Sequence, residues 1–433
     1  MNQLTKIVKR LESDKNYSLN LKIIYFFFIS SSIYLAFSLS PFPEFDELAY
    51  IKHVEEIANS NNFWYLGDRN RMPLFNYMLF TFYNFQLLDL PLYRIYQLTN
   101  IFFTTVFSLI YFKKLKTYFN SNIIFCSCIV FILFIPILAF IHDVVVEPIF
   151  YLSFGLLFLS FLDLNNDLSY KNSIKFAIIC AVVYLLKATG LFLFLLSIIY
   201  LILIKVAEKS FKIQILSKIC VSICIFFVII SPYIYENYTK FNGHLFYNVN
   251  STFYVWYDTY EQVESGTKLY GDRVGWPDMP ESEIPSLEKY IKTHSLTEIL
   301  SRFLKGFKSI FYYYFSPFEF TGAITVSFTL LLLQIIKNLS AKSIFKYSKD
   351  LKIWISYLIY LSGFVLTSTA WYMLTNSVQR FSMLLAIPTY SILFVFIDKF
   401  FVVNSDSSKV KNFFFIVASF FVSQSFIIFN YIL

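Results

Sequence analysis

The residues best suited to chemistry stand in one short stretch, residues 40–74, which reads SPFPEFDELAYIKHVEEIANSNNFWYLGDRNRMPL. It follows an apolar run, yet it contains the adjacent acids Asp46 and Glu47 and, later, Arg69 and Arg71. A positioned carboxylate can remove a proton from a hydroxyl group as a general base. The planar guanidinium of arginine stays charged and can bind two oxygens of a phosphate. The stretch therefore combines a candidate base, Asp46, with candidate anion-binding groups.

Three further cations stand at the ends of long apolar runs: Arg94, Lys187 and Arg380. At the end of a membrane helix a cation commonly extends its charge to the lipid headgroups, so each of the three has a purely anchoring interpretation. Arg94 and Arg380 fall on a side of the membrane where lysine is scarce, which favours phosphate binding. Lys187 stands in an apparent helix break, and both interpretations are open for it.

The candidate acids also have structural alternatives. Asp46 could cap the helix that follows it, because aspartate is favoured at helix N-termini. Glu47 is expected to be a solvated or supporting neighbour of Asp46, with substrate binding as the alternative. Asp143 and Glu147, in the segment IHDVVVEP (141–148), either close a polar loop between two apolar runs or contact the substrate or a metal.

No cofactor motif accompanies these residues in the sequence. His53 and Glu56 share one helical face, but two ligands are too few for a metal site, so a solvated helix face is predicted there. The five cysteines fall within apolar runs and lack zinc-type spacing. Glycine-rich phosphate loops are absent as well. No cofactor is assigned, a divalent metal stays open, and no nucleic-acid partner is indicated.

The elements that must position these residues are membrane helices. Of the 433 residues, 57% are hydrophobic, 21% are aromatic and only 15% are charged, which exceeds what the core of a soluble protein uses. The sequence therefore predicts an all-α polytopic membrane protein with about eleven transmembrane helices. The predicted crossings are residues 22–40, 94–112, 121–141, 146–162, 174–187, 189–206, 213–231, 319–337, 351–371, 381–399 and 411–431.

The distribution of lysine gives the predicted orientation. With a cytoplasmic N-terminus and the first run kept as a signal anchor, most lysines lie in cytoplasmic loops, as the positive-inside rule requires. The same rule makes residues 72–88 a helix on the outer surface rather than a crossing. It also divides the apolar stretch 174–206 at Lys187-Ala188-Thr189-Gly190, where Gly190 is expected to end a helix. The candidate residues then all face the outside.

The chain divides into three parts. Residues 1–231 form an N-terminal transmembrane module whose first external loop, residues 41–93, holds Asp46. Apolar residues recur at helical spacing from Leu48 to Ala58, so this loop is predicted to contain an amphipathic surface helix. Residues 232–318 form a small external, α-rich segment expected to select the substrate, and residues 319–433 form the C-terminal transmembrane helices.

The order of these features resembles the GT-C superfamily of membrane glycosyltransferases, such as protein O-mannosyltransferases and aminoarabinose transferases. The resemblance rests on the acidic pair of PEFDELAY, the arginine and Pro-Leu of RNRMPLFNYMLF, the loop HDVVVEPIFYLSFGLLFL, the KATGLFLFL break and QRFSMLLAIPTY. It covers roughly residues 20–400. The chain differs from many members in having Arg71-Met72-Pro73 where those have His-Pro-Pro, and Phe381 in place of a tyrosine.

The resemblance implies transfer of a sugar, with inversion, from a polyprenyl-phosphate carrier to an acceptor hydroxyl outside the plasma membrane in which the chain is embedded. The residue chemistry set out above gives Asp46 as the expected catalytic base for this reaction and, as expected substrate-binding residues, Glu47, Arg69, Arg71, Arg94, Asp143, Glu147, Lys187 and Arg380. The expected partners are the lipid-linked donor, a protein, lipid or glycan acceptor, and membrane lipids. A lipid-linked glycan polymerase or ligase and a polytopic transporter are the alternatives, although nearly uncharged crossings disfavour a transporter.

Overall fold

Helices account for every regular element in the described part of the chain. The computed structural model describes residues 14–39, 42–43, 45–60, 71–83, 90–207, 213–240, 245, 257–270, 279–283, 287–315 and 383–403. The α-helices in chain order are α1 (Asp14–Leu39), α2 (Phe45–Asn59), α3 (Pro73–Phe80), α4 (Leu92–Leu115), α5 (Asn122–Ile132), α6 (Leu138–Ile141), α7 (Glu147–Asn166), α8 (Tyr170–Leu186), α9 (Thr189–Ala207), α10 (Ile213–Lys240), α11 (Tyr260–Tyr270), α12 (Leu287–Thr293), α13 (Leu296–Phe315) and α14 (Ala386–Val403). A π-helical turn, Leu133–Ile137, joins α5 to α6.

Within those ranges, six helices are long and apolar enough to cross a membrane. They are Asn16–Leu39, Leu92–Tyr118, Asn122–Ile141, Glu147–Asn166, Thr189–Val206 and Ile213–Thr239. The prediction of an all-helical fold is therefore confirmed for the described residues, and the six candidate spans support the predicted membrane protein, whereas the count of about eleven crossings stays a prediction. α8 has only 17 residues, and Met383–Val395, at the start of α14, is a shorter apolar helix. The predicted crossings 319–337, 351–371 and 411–431 lie outside the described residues.

The bundle is organised around α7, whose side chains are almost all buried. α4, α8 and α14 pack on it. Gly155 permits this close packing, because a Cβ atom there would stand 2.8 Å from both Tyr111 Cε2 and Ile387 Cγ2. The outer helices α1 and α10 instead expose large apolar side chains such as Phe26 and Val228. An extended apolar surface of this kind suits contact with lipid.

Contacts between helices define two ends of the bundle. At one end, which we call the α2 end, the last turn of α1 and the loop between α6 and α7 both meet the first turns of α4. We call the other end the lysine end. There Lys114 pairs with Asp163, and Lys205 donates to the carbonyl of Asn165. Asp398 accepts hydrogen bonds from the backbone nitrogens of Asn120 and Ser121 at the same end. Two lysines predicted to be cytoplasmic thus lie opposite the acids of the first loop.

The apolar stretch 174–206 is broken at the predicted place. α8 ends at Leu186, Lys187 has an extended backbone (φ −148°, ψ 135°), and α9 begins at Thr189 and packs back on α8. The expected role of Gly190 is wrong, because Gly190 lies in the first turn of α9 instead of ending α8. Its missing side chain lets α9 approach the backbone of Tyr184, whose nitrogen a Cβ atom would meet at 2.3 Å.

Two other predicted boundaries can be compared with the structure. α3 covers only Pro73–Phe80, about 12 Å of helix, so it does not cross a bilayer; residues 84–88 lie outside the described part. α10 continues through Pro232 to Lys240 instead of ending at residue 231. The boundary drawn between the transmembrane module and the external segment therefore falls inside a helix.

Between residues 257 and 315 one carboxylate connects three helices. Asp258, just before α11, accepts hydrogen bonds from Tyr290 Oη at 2.7 Å and from Arg302 at 3.1 Å, and it lies 2.8 Å from His294 Nε2. Burial by itself raises the pKa of Asp258. The hydrogen bonds from Tyr290 and His294 and the charge of Arg302 outweigh burial and lower that pKa. The Asp258 cluster thus fixes α11, α12 and α13 to one another.

Candidate functional site

At the α2 end, Asp46 forms an ion pair with Arg71. Asp46 is the second residue of α2, so it lies inside the helix rather than at the cap position, and its charge suits the helix dipole. Arg71 Nη2 donates to Asp46 Oδ1 at 2.8 Å, and the Arg71 guanidinium carbon lies 4.8 Å from the centre of the Tyr50 ring. Arg71 is buried, whereas the Asp46 side chain is 30% exposed. The pair presents an oriented carboxylate at the surface.

Glu47, the next residue along α2, has the opposite environment. It is 4% exposed, and its Oε1 accepts hydrogen bonds from Tyr93 Oη at 2.8 Å and from the Val144 backbone nitrogen at 2.6 Å. Of the two expectations for Glu47, a solvated or a supporting neighbour of Asp46, the solvated one is therefore wrong. One residue on from Asp46 is a rotation of about 100° around a helix, which turns Glu47 into the bundle. Glu47 ties α2 to α4 and to the loop before α7.

Three polar residues of α4 hold the neighbouring chain segments. Arg94 Nη1 donates to the carbonyl of Ala36 at 2.6 Å and to Gln97 Oε1 at 2.8 Å. Gln97 Nε2 donates to the carbonyl of His142 at 2.8 Å. Asn100 Nδ2 donates to the next carbonyl of that loop, also at 2.8 Å. Arg94 is thus anchored to the end of α1 and contributes a fixed positive charge to the α2 end.

The two acids of the 141–148 segment differ in their surroundings. Asp143 is half-buried, with its Oδ1 at 3.5 Å from His142 Nε2. Glu147 begins α7, and its carboxylate accepts a hydrogen bond from Lys187 Nζ at 2.8 Å. The Glu147 side chain is 4% exposed and that of Lys187 is 19% exposed. Lys187 Nζ also lies 5.2 Å from the centre of the Phe150 ring. The helix break at Lys187 therefore places a cation against a buried carboxylate.

The structure thus brings most of the sequence-predicted residues to one end of the bundle. They are Asp46, Glu47, Arg71, Arg94, Asp143, Glu147 and Lys187, and the contacts above link them through α4 and the loop before α7. Arg69 and Arg380 lie outside the described residues. Whether any of these groups binds substrate stays a prediction.

A second correction concerns His53. It is buried, and its Nδ1 lies 3.4 Å from Glu56 Oε2, so the predicted solvated face is wrong for His53, whereas the Glu56 side chain is 42% exposed. The cause is α3, which packs over α2 with Phe75 against Tyr50 at 4.9 Å between ring centres. Among the residues that the structure describes, no group of three or more His, Cys, Asp or Glu side chains could hold a metal ion.

Sequence reasoning missed the groups that hold the site in place. Tyr93, Gln97 and Asn100 carry the hydrogen bonds between α4, Glu47 and the loop before α7. A signal was present, because Gln97 and Asn100 are three residues apart in a predicted crossing, and amides spaced in this way face the same side of a membrane helix. The contribution of Tyr93 depends on a partner 46 residues away in sequence.

No protein-family model matches the chain, and no curated protein matches its sequence.

Proposed function

We propose that the chain is an inverting, polyprenyl-phosphate-sugar-dependent glycosyltransferase of the plasma membrane. In the proposed step the acceptor hydroxyl oxygen attacks the anomeric carbon of the donor while Asp46 takes the hydroxyl proton. The bond from the anomeric carbon to the phosphate oxygen breaks, and the phosphate leaves with the bonding electrons on its polyprenyl carrier. Attack from the face opposite to the phosphate inverts the configuration at that carbon.

The Asp46–Arg71 pair is the observation that carries this proposal. A general base needs a carboxylate within hydrogen-bond reach of the acceptor and held in one orientation, and Asp46 is partly exposed and held by a buried guanidinium. α2 begins shortly after α1, which is long enough to cross the membrane. We therefore infer that the Asp46 carboxylate lies close to the membrane surface, which is the depth at which a membrane-anchored phosphate presents its sugar.

The cations supply the second requirement, stabilisation of the departing phosphate. Arg71 and Arg94 are both held by contacts within the chain, so their charges are already in place when charge develops on the phosphate. Preorganised charge of this kind is usually the largest single contribution to stabilising such a transition state. Arg69, Lys187 and Arg380 are the further proposed phosphate ligands, and Asp143 is proposed to contact the donor or the acceptor. Glu47 and Glu147, being buried, are assigned to supporting the site.

The proposal includes an orientation in the membrane. The N-terminus lies in the cytoplasm, the chain crosses about eleven times, and the α2 end faces outside. The position of Lys114 and Lys205 at the opposite end supports this orientation through the positive-inside rule. A protein, lipid or glycan acceptor then approaches from the external side, where residues 232–318 contribute to its selection.

The test uses the full chain in its own cell. A strain lacking the gene is complemented with the wild type, with Asp46→Asn or with Glu55→Gln, and its lipid-linked sugars are quantified by mass spectrometry. Glu55 is the matched control, because it is an exposed carboxylate on the same helix. We expect a donor to accumulate in the deletion strain and with Asp46→Asn, and to return to its wild-type level with Glu55→Gln.

Three results contradict the proposal. The first is a deletion strain that accumulates no polyprenyl-linked sugar. The second is an Asp46→Asn protein, present at the wild-type amount, that removes the donor as well as the wild type does, as expected if the protein is a transporter and Asp46 only stabilises α2. The third is equal accumulation with Asp46→Asn and Glu55→Gln, which would assign the effect to the charge of the helix surface rather than to a base.

A further inference from the structure

Helix α13 carries a broad apolar face, of which only half is covered. Ile299, Phe303 and Phe307 occupy one part of this face, and Phe303 and Phe307 pack against the core of the bundle. Leu296, Leu300 and Leu304 occupy the other part, four residues apart and therefore stacked along one edge of the helix. They are 72%, 53% and 66% exposed, respectively. We call these three residues the leucine edge.

The orientation of α13 is fixed on its other sides. Arg302 is buried and donates to Asp258, and its guanidinium carbon lies 5.0 Å from the centre of the Tyr290 ring. The Asp258 cluster therefore holds one flank of α13, while the phenylalanines hold another against the transmembrane bundle. The leucine edge is left pointing outward by these contacts, and rotation of α13 to bury it would break both of them.

Two lysines beyond Leu304 are exposed: Lys308 lies one turn further on the same side of α13 as the leucine edge, and Lys305 lies about 100° round the helix from Leu304. A helix with an open apolar edge beside cationic side chains has the amphipathic pattern of helices that lie in the membrane interface. The last turns of the span α10 carry the exposed tyrosines Tyr235 and Tyr238, and tyrosine is enriched at the level of the lipid headgroups.

We propose that α13 lies in the membrane interface, with the leucine edge in the acyl boundary and Lys305 and Lys308 among anionic headgroups. We assign this edge to lipid rather than to a protein partner, because Phe303 and Phe307 of the same helix pack on a bundle whose outer helices expose apolar side chains suited to contact with lipid. The inference does not depend on the proposed glycosyltransferase activity. It makes α13 an anchor that holds the external segment down on the membrane.

The experiment places an environment-sensitive fluorophore on the full chain in nanodiscs of phosphatidylcholine with phosphatidylglycerol. Leu300→Cys is labelled with NBD in a background in which Cys126, Cys128, Cys180, Cys220 and Cys224 are replaced by alanine. Ser301→Cys is the matched control, because Ser301 is the next residue, is also exposed and lies about 100° away around the helix. Leu304→Cys is a second position on the leucine edge, and every protein used must show the thermal transition of the unlabelled background.

We expect a blue-shifted emission at positions 300 and 304, with strong quenching by doxyl-labelled lipid and weak quenching by aqueous iodide, and the reverse at position 301. Lys308→Glu should reduce the lipid quenching at position 300 in the anionic nanodiscs but not in nanodiscs of phosphatidylcholine alone. Iodide quenching that is as strong at positions 300 and 304 as at 301 would place the edge in water and overturn the proposal. Protection of both positions from iodide and lipid alike would assign the edge to protein and overturn it as well.

Discussion

The ion pair between Lys187 and Glu147 allows a sharp test of what the helix break is for. Lys187 could bind substrate phosphate, or it could serve only to neutralise a buried acid. The perturbation consists of Lys187→Met, Glu147→Gln and the double variant, because methionine and glutamine approximate the shape of the residues that they replace. The quantity measured is the free energy of unfolding of the purified protein in detergent, from guanidinium denaturation.

The two single variants should lower the free energy of unfolding by different amounts. Lys187→Met leaves the Glu147 carboxylate, which is 4% exposed, without its cation, and removing one partner of a buried pair costs about 3–5 kcal/mol. Loss of the contact between Lys187 and the Phe150 ring adds about 0.5–1 kcal/mol. Glu147→Gln costs less, about 1–3 kcal/mol, because the Lys187 side chain is 19% exposed and can turn its ammonium group toward water.

The double variant decides whether the pair acts as a unit. With both charges removed no uncompensated carboxylate is left, so the double variant should be more stable than Lys187→Met alone, with a coupling energy of about 2–3 kcal/mol. Additive losses, with a coupling energy below about 0.5 kcal/mol, would refute the reasoning. A different outcome is that the Lys187→Met protein keeps full stability while the lipid-linked donor accumulates in the deletion strain complemented with this variant. In that case the main function of Lys187 is to bind substrate.

Three further predictions follow from single contacts. Glu47→Ala removes the acceptor of Tyr93 Oη and should lower the free energy of unfolding by about 2–4 kcal/mol in the same denaturation assay; a loss below about 0.5 kcal/mol contradicts the role of Glu47. Gly190→Ala puts a methyl group into the backbone of Tyr184 and should lower the thermal midpoint, and an unchanged midpoint would show that α9 can move aside. Because the pKa of Asp258 is lowered in the folded state, its stabilisation is complete at neutral pH and is lost as the pH falls below about 4. Hydrogen exchange in α12 should therefore differ between the wild type and Asp258→Asn at about pH 6, and the difference should shrink as the pH falls below about 4; a difference that grows on acidification contradicts this.

Local signals predicted the elements of the described chain well. The helical spacing of apolar residues predicted α2, and the lysine distribution predicted the break at Lys187 and a non-crossing helix in residues 72–88, of which α3 covers only Pro73–Phe80. The first signal depends on residues close together in sequence, and the second depends on where lysines stand along the chain. The ion pair of Asp46 with Arg71 also falls within one loop, 25 residues apart, and the grouping of acid and arginine in that loop was visible at once.

The sequence could not predict which acids are buried. Glu47 is buried because Tyr93 and Val144, 46 and 97 residues away, supply donors for its carboxylate. Glu147 is buried because Lys187 stands 40 residues further on. A polar residue at a helix end is equally compatible with solvent and with a hydrogen-bonded interior position. Only the packing of α4, α7 and α8 against each other decides between the two.

The adjacent acids of α2 show why such an acid-rich loop must be interpreted residue by residue. Asp46 and Glu47 have the same charge and nearly the same position in the chain, yet one is partly exposed and paired with Arg71 and the other is enclosed by Tyr93 and Val144. The enclosed carboxylate fixes α2 against the bundle, and this fixes the position of the exposed one. A base on a surface helix is useful only if that helix is held still, so the burial of Glu47 is a condition for the proposed chemistry of Asp46 rather than a competing explanation of the acidic pair.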